Sequence, residues 1–219
     1  MLKGVIMDFD GVIVDTEAVW YDIFAQWFKK NKNYDLSVQQ FLLCVGSNSE
    51  DLFHSLEKEQ GMIINRRKFT EDTQSLFIQR SNTLPPKKGV AEFIESVKSK
   101  GLKLALATSS TRLKPTLHLT RLGFIDKFDE IVTAEDVKRI KPYPDLFLKA
   151  AEKLKAAREE VLVVEDSLNG FAAGKNAGMR VLIVPNEVTK YSDFTGCYKK
   201  VNSLADVNAE ELIADFKIQ

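Results

Sequence analysis

The chain has 219 residues, of which 44% are hydrophobic and 28% are charged, a composition typical of an ordinary globular protein. Its 31 basic residues balance 31 acidic ones, so the net charge gives no electrostatic reason to expect nucleic acid or a membrane surface as its partner. No apolar stretch is long enough to cross a bilayer, and we expect no signal peptide because Asp8 and Asp10 interrupt the first apolar run.

The first predicted strand is the apolar run at residues 5–7, which Asp8 and Asp10 follow directly. A buried ionised carboxylate is costly unless it is paired or bound to a metal, so two of them at the end of a strand indicate a binding site. The alternative is a strand that ends in a polar turn, since Asp-Gly is a common turn dipeptide. These residues alone leave both interpretations open.

Residues 16–83 are predicted to be helical. Aromatic and aliphatic side chains recur with a helical period between residues 20 and 28, and further helices are predicted at 38–44, 50–60 and 67–81. The aromatic stripe predicts the core of a helical bundle rather than a ligand cradle. Because no strand-like run occurs here, we interpret the segment as a helical insertion after the first strand, closed by the linker at 84–86.

From residue 87 onward, predicted helices and strands alternate. Short apolar runs rich in branched residues predict strands at 102–107, 131–133, 161–164 and 181–184. Ser203 is predicted to cap a last helix. The alternation predicts an α/β fold, a parallel sheet with helices on both faces, formed by residues 1–15 and 84–219 around the insertion at 16–83.

Polar side chains follow each of the predicted strands that precede residue 170. The first strand is followed by Asp8 and Asp10, and the others by Thr108-Ser109-Ser110, by a loop with Lys141, and by Glu165-Asp166-Ser167. In a parallel sheet the carboxyl ends of all strands lie at one edge, where ligands bind. We therefore expect these groups to meet at a single site.

Four segments resemble, in order, the four motifs of the haloacid dehalogenase superfamily: DFDGVIVDTE, ALATSS, KPYPD and VVEDSLNGFAAGKNAGM. The insertion is similar to the helical cap of that superfamily's β-phosphoglucomutase-like branch. The resemblance implies a doubly wound parallel-sheet core with an inserted helical cap domain. It also implies the activity of a Mg²⁺-dependent phosphatase or phosphotransferase.

The resemblance assigns the acidic residues to the chemistry. Asp8 would be the nucleophile that forms an aspartyl-phosphate, and Asp10 would be the general acid and base. Mg²⁺ would be held by Asp8, the backbone carbonyl of Asp10 and Asp166, with Glu165 as a further ligand, directly or through water. An acid at Asp10 favours phosphate-ester chemistry over the cleavage of carbon–halogen or carbon–phosphorus bonds.

The resemblance also assigns the groups that would bind the phosphoryl group. The hydroxyl of Thr108 and the backbone N–H of Ser109 would donate hydrogen bonds to its oxygens. Lys141 would neutralise its charge and hold Asp8 in place. His54 and His118 have no other metal-ligand residues near them in the sequence and are predicted to be structural.

The insertion departs from the sugar mutases of this branch at two places. Trp20 stands where those mutases have a His, and Ser49 ends the Gly-Ser-Asn-Ser stretch where they have an Arg. These differences favour simple hydrolysis over a mutase reaction. Trp20, Ser47 and Asn48 are then predicted to contact the leaving group.

The sequence thus predicts a Mg²⁺-dependent phosphatase that acts on a small phosphorylated metabolite, with sugar phosphates among the candidates. The enzymatic alternative is a phosphotransferase of the β-phosphoglucomutase type. A phospho-accepting signalling domain is a third possibility, although such domains are shorter and have no cap.

We expect the protein to be a monomer. We also expect it to be located in the cytoplasm, because Cys44 and Cys197 are far apart and are interpreted as reduced thiols.

Overall fold

The apolar run near the N-terminus forms the central strand of a parallel sheet. The computed structural model describes residues 1–217, so the last two positions of the predicted core lie outside the described residues. The strands lie in the order β3-β2-β1-β4-β5-β6, and every neighbouring pair is parallel. They are β1 (Gly4–Met7), β2 (Lys103–Ala107), β3 (Glu130–Val132), β4 (Val161–Glu165), β5 (Arg180–Ile183) and β6 (Lys199–Lys200).

Alternating side chains of β1 face two different apolar clusters. Val5 and Met7 belong to one cluster with Phe93 of the helix α5, whereas Ile6 belongs to the other with Phe147 of the helix α7. Both faces of the sheet are therefore covered, and the predicted doubly wound α/β core is confirmed. The core helices are α5 (Val90–Ser99), α6 (Leu113–Leu122), α7 (Asp145–Leu154), α8 (Leu168–Asn176) and α9 (Ala209–Asp215).

Residues 16–81, which we call the helical region, have an apolar cluster of their own. Phe24, Trp27 and Phe28 are buried in it, and Phe69 packs edge-on against Phe24 at 4.7 Å. The stripe on the first helix is thus largely bundle core, as the sequence predicts. The helices are α1 (Thr16–Lys32), α2 (Val38–Phe41), α3 (Glu50–Gln60) and α4 (Arg66–Ser81).

Two local predictions are wrong. The helix predicted at 38–44 ends at Phe41, because the backbone N–H groups of Leu43 and Cys44 bond three residues back instead of four. The hydroxyl of Ser203 accepts from Ala205 N and caps only a short 3₁₀ turn, while Asn208 caps the last helix. Ser203 is therefore the cap of a 3₁₀ turn and not of the last helix.

The strand β6 was not predicted. It consists of two lysines, Lys199 and Lys200, at the edge of the sheet, so it has no apolar run.

Among residues 1–217, no helix combines the length and the hydropathy needed to cross a membrane.

Candidate active site

Three strand ends and one loop bring the predicted residues to the same edge of the sheet. Asp8 follows β1, Thr108 follows β2, and Glu165 and Asp166 stand at the end of β4. Lys141 reaches them from the loop between β3 and α7, and all five residues are buried. The structure brings Asp8, Lys141, Glu165 and Asp166 together, and Thr108 lines the same cavity as Asp8.

Lys141 lies between two carboxylates. Its Nζ is 2.5 Å from Asp8 Oδ1 and 2.6 Å from Glu165 Oε1. Burial alone would lower the pKa of Lys141, but the two negative neighbours outweigh it and hold that pKa above its ordinary value. Lys141 is therefore a permanent cation in this site.

The second oxygen of Glu165 organises the loop after β4. Glu165 Oε2 accepts from the backbone N–H of Asp166 at 3.0 Å, from that of Ser167 at 3.2 Å, and from the Ser167 hydroxyl at 3.1 Å. With Lys141 on Oε1, both oxygens already have partners. Glu165 therefore holds the lysine and the loop in place, whatever else it binds.

The carboxylate of Asp166 is incompletely satisfied. Its Oδ2 accepts from Asn186 Nδ2 at 2.6 Å, but its buried Oδ1 has no hydrogen-bond partner within the described part of the chain. Burial and then the neighbouring Glu165 raise the pKa of Asp166 well above its usual range. A buried acceptor without a partner is rare in folded proteins, and a cation would satisfy it.

A hard divalent cation fits this set of residues. Asp8, Glu165 and Asp166 each offer an oxygen, and these oxygens lie within 4.8 Å of one another. Carboxylate oxygens are the ligands that such cations prefer, and the buried Asp166 Oδ1 supplies one that no other group in residues 1–217 engages. The residues present therefore match the metal that the sequence implies.

Asp8 and Asp10 differ in their surroundings. Burial raises the pKa of Asp8 to about 7, although Lys141 opposes the shift. Burial would raise the pKa of Asp10 too, but Lys114 and hydrogen-bonding hydroxyls reverse the effect and lower it. Lys114 Nζ and Thr16 Oγ1 each lie 2.5 Å from Asp10 Oδ1.

The residues after β2 connect the core to the helical region. Thr108 Oγ1 accepts from the backbone N–H of Ser110 at 3.1 Å, and the Ser110 hydroxyl donates to Asp10 Oδ2 at 2.7 Å. The hydroxyl of Ser109 donates to the carbonyl of Gly46 at 2.9 Å. This turn therefore links the predicted phosphate-binding residues both to Asp10 and to the helical region.

A cavity of about 600 Å³ opens above these residues. Asp8, Asp10, Thr108 and Ser109 line it, and so do the three residues predicted for specificity: Trp20, Ser47 and Asn48. Lys141, Glu165 and Asp166 are not part of its lining and lie buried behind Asp8.

The three specificity residues are not equally free to bind a leaving group. Ser47 Oγ donates to the backbone carbonyl of Lys141 at 2.6 Å, and Asn48 Oδ1 accepts from the N–H of Glu50 at 2.9 Å. These two polar groups hold their own loop in place. Trp20 is half-buried, and its ring is stacked on Phe77 at 4.0 Å.

Several site residues were missed in the sequence. Asn186 follows β5 by three residues, so the rule that polar groups follow strand ends could have found it. Lys114 and Glu17 lie on helices and had no such signal. Glu17 is buried beside the cavity, and burial, followed by the charge of Asp10, raises its pKa to about 8.

A family model and similar sequences from other organisms point to the same protein family for this chain. A family model described as "Haloacid dehalogenase-like hydrolase" matches residues 5–184. The chain is 35% identical over 214 residues to YhcW of Bacillus subtilis (strain 168), covering 97% of both proteins. It is 37% identical over 128 residues to the "Phosphorylated carbohydrates phosphatase" of Thermotoga maritima, covering 58% of each.

The fold has close structural counterparts. A β-phosphoglucomutase structure from Clostridium difficile superposes with a TM-score of 0.82 at 24% identity, covering 99% of this chain and 98% of that one. CbbY from Rhodobacter sphaeroides, in complex with xylulose-(1,5)bisphosphate, gives a TM-score of 0.79 at 22% identity and covers 94% and 96%. With the family match and the YhcW identity, these findings show that the chain belongs to the haloacid dehalogenase-like hydrolases.

Proposed function

We propose that the protein is a Mg²⁺-dependent phosphatase that hydrolyses a small phosphorylated metabolite through an aspartyl-phosphate. One observation carries the proposal: Asp8, held by Lys141 at 2.5 Å, lines the same cavity as Asp10. A fixed carboxylate and an acid–base group thus face the same ligand space. The Thermotoga maritima relative, named as a phosphatase of phosphorylated carbohydrates, supports the substrate class and makes sugar phosphates the first candidates.

The reaction would proceed in two steps. In the first, an oxygen of Asp8 bonds to phosphorus, the bond from phosphorus to the leaving oxygen breaks, and Asp10 gives that oxygen a proton. In the second, water attacks the aspartyl-phosphate, Asp10 takes a proton from the water, and Asp8 is released with inorganic phosphate. The donors around Asp10 stabilise its carboxylate form, which the second step needs. The first step needs the protonated form, so Asp10 would take up one proton from solvent before the leaving oxygen departs and regain one from the attacking water afterwards.

The remaining roles follow from charge. Thr108, the N–H of Ser109 and Lys141 would bind the phosphoryl oxygens, and Lys141 is already a buried cation. Asp8, Asp166 and the carbonyl of Asp10 would hold Mg²⁺, with Glu165 as a direct or water-mediated ligand. The bound ion would neutralise the negative charge shared by the nucleophile and the phosphoryl group.

We propose that residues 16–83 act as a cap over a core formed by residues 1–15 and 84–219. The apolar cluster of the helical region, which includes only Val188 from the proposed core, supports this division. So do the hydrogen bonds from Ser47 to Lys141 and from Ser109 to Gly46, which seat the cap on the core. A seated cap would exclude water from the first step.

A cytoplasmic location agrees with the two cysteines, Cys44 and Cys197, which are free thiols.

A phosphatase assay tests the proposal. Inorganic phosphate is measured during incubation of phosphorylated metabolites with the protein and Mg²⁺. We expect release by the unmodified chain and none by Asp8→Asn, while Asp206→Asn, at an exposed position, keeps the full rate. Release by Asp8→Asn at the unmodified rate would overturn the nucleophile assignment, and an EDTA-insensitive rate would overturn the metal assignment.

The phosphotransferase alternative predicts a different product. A hexose phosphate would yield an isomeric sugar phosphate rather than free phosphate and hexose. The signalling alternative predicts a stable phosphoprotein with little phosphate release. Analysis of the products from the same incubations separates the three reactions.

A further inference from the structure

The cavity above Asp8 has mainly apolar walls. Its inner surface is formed by Phe24, Phe41 and Phe69, and by the stacked pair of Trp20 and Phe77, whose ring planes differ by 5°. A volume of about 600 Å³ is far more than a phosphoryl group needs and lies within the range of pockets for whole small-molecule ligands. The leaving group therefore has room to be large.

The exposed part of the cavity lining carries three apolar side chains beside polar ones such as Gln74 and Asn82. The apolar ones are Leu113, Leu117 and Ile78, which remain 70%, 58% and 57% exposed, respectively. Leu113 and Leu117 lie on α6 of the core, and Ile78 lies on α4 of the helical region. A ligand that passes between these helices would cover apolar surface that now faces water, which favours binding.

The cavity offers no unpaired cation. Lys114 is the one lysine or arginine that lines it within residues 1–217, and its ammonium group is bound to Asp10 and lies 4.9 Å from the centre of the Phe77 ring. A second anionic group on the substrate would therefore find uncharged hydroxyl and amide groups, such as those of Thr70, Gln74 and Asn82, but no free ammonium or guanidinium group among the described residues. Burying an unpaired charge is costly, so such substrates are disfavoured.

Glu17 is, with Asp8 and Asp10, one of three acidic residues that line the cavity within residues 1–217. It is buried, and its carboxyl group has no hydrogen-bond partner in the described part of the chain. A carboxyl group accepts a hydrogen bond from a hydroxyl or N–H group, and when ionised it repels an anion. It therefore suits an uncharged hydroxyl or amide group on the ligand better than it suits an anion.

We propose that the substrate is a phosphomonoester whose leaving alcohol is uncharged, carries a flat ring that packs against Trp20, and offers a hydroxyl or N–H group to Glu17. The inference rests on the proposed phosphatase function and, within phosphorylated metabolites, ranks esters of ring-bearing alcohols above the simple sugar phosphates named there as first candidates. It excludes bisphosphates as preferred substrates. Stacking of a base-like ring on an aromatic side chain changes affinity by about tenfold, which is enough to select among related esters.

Four esters test the inference through the loss of the 5′-phosphate, whose leaving oxygen they share, so their intrinsic reactivity is alike; for the bisphosphate, only formation of the 3′-monophosphate is counted. They are ribose 5-phosphate, adenosine 5′-monophosphate, adenosine 3′,5′-bisphosphate, and 2′,3′-dideoxyadenosine 5′-monophosphate. We expect kcat/KM for adenosine 5′-monophosphate to exceed that for each of the other three by about tenfold or more. Equal values, or a preference for ribose 5-phosphate or the bisphosphate, would overturn the inference.

Variants connect these preferences to residues. In Trp20→Ala the ratio of kcat/KM for adenosine 5′-monophosphate to that for ribose 5-phosphate should fall by about tenfold. Tyr191→Ala, at a position 86% exposed, should leave this ratio unchanged. Glu17→Leu should remove the preference for the hydroxylated ester over the dideoxy ester, and Glu17→Gln should keep it. Unchanged ratios in Trp20→Ala and Glu17→Leu would contradict the assigned contacts.

A binding measurement separates this inference from the proposed function. Adenosine alone, without metal, should quench the fluorescence of Trp20, and the quench should disappear in Trp20→Phe. Quenching without phosphate release from any ester would contradict the phosphatase function while supporting the pocket. Phosphate release without quenching or ester discrimination would contradict the pocket alone.

Discussion

The ammonium nitrogen of Lys141 lies 2.5 Å from Asp8 Oδ1, although the two residues are 133 positions apart in the chain. The same nitrogen is 2.6 Å from Glu165 Oε1, and Asp166 lies beside them with one carboxylate oxygen that has no partner among the described residues. Two buried carboxyl groups thus share one ammonium group, and a third lies beside them without it. The carboxyl groups are concentrated where a metal and a phosphoryl group would bind, so we expect them to cost stability when neither is bound.

Removal of the shared cation should destabilise the protein strongly. Lys141→Met would leave Asp8 and Glu165 buried without a positive partner, and we expect the free energy of unfolding in urea to fall by about 3–5 kcal/mol. Lys149→Met, which breaks an exposed pair with Glu152, should change it by no more than about 0.5 kcal/mol. Adding Glu165→Gln to Lys141→Met should restore part of the loss. Equal stabilities of the two single variants would show that the buried pair contributes nothing.

Asp166 should stabilise the metal-bound protein and destabilise the metal-free one. Because burial and Glu165 raise its pKa, Asp166→Asn should unfold at a higher temperature than the unmodified chain after dialysis against EDTA. Added Mg²⁺ should raise the melting temperature of the unmodified chain and of Asp206→Asn, but not that of Asp166→Asn. A Mg²⁺-dependent rise in all three would place the ion elsewhere.

Glu17 should make stability depend on pH. Its pKa is about 8 in the folded protein against 4.5 for the ordinary group, so between these values the folded chain holds a proton that the unfolded chain has lost. The free energy of unfolding should therefore fall as the pH rises through this window. Glu17→Gln has no carboxyl group to titrate, so this pH dependence should disappear. Above pH 8 its free energy of unfolding should exceed that of the unmodified chain by on the order of a few kcal/mol, and below pH 4.5 the two should be nearly equal.

Urea denaturation across that pH window measures the Glu17 effect. Glu92→Gln, at an exposed position on α5, is the control and should follow the unmodified chain at every pH. A Glu17→Gln curve parallel to that of the unmodified chain would mean that the buried carboxyl does not titrate abnormally.

The loop that seats the helical region on the core should depend on Gly46. Gly46 and Gly61 both have positive φ angles, +77° and +64°, but a Cβ at Gly46 would lie 2.1 Å from Ser167 Oγ, whereas one at Gly61 would meet nothing within 4 Å. Each substitution by alanine should cost about 1 kcal/mol for the left-handed backbone. Only Gly46→Ala should also lower kcat/KM, because it pushes Ser47 away from Lys141. Parallel losses of activity in both variants would argue against this seating role.

Local patterns in the sequence identified most of the strands and the residues that follow them. Asp8, Thr108, Glu165 and Asp166 are found at strand ends because apolar runs buried on both faces are easy to see and parallel strands must end at one edge. The two-lysine strand β6 has no such run. Ser203 shows the limit of cap signals, since a serine caps a 3₁₀ turn as well as a helix.

The sequence by itself therefore determined the parallel sheet, the helical insertion and the group of polar residues at one edge, because these follow from short-range periodicity and from the geometry of parallel strands. Only the tertiary structure decided the partners within the site: Lys114 on Asp10, Asn186 on Asp166, and Ser47 on the backbone of Lys141. Those contacts depend on how the helical region and the loops pack against the sheet. Long-range packing of this kind leaves no periodic trace in the chain.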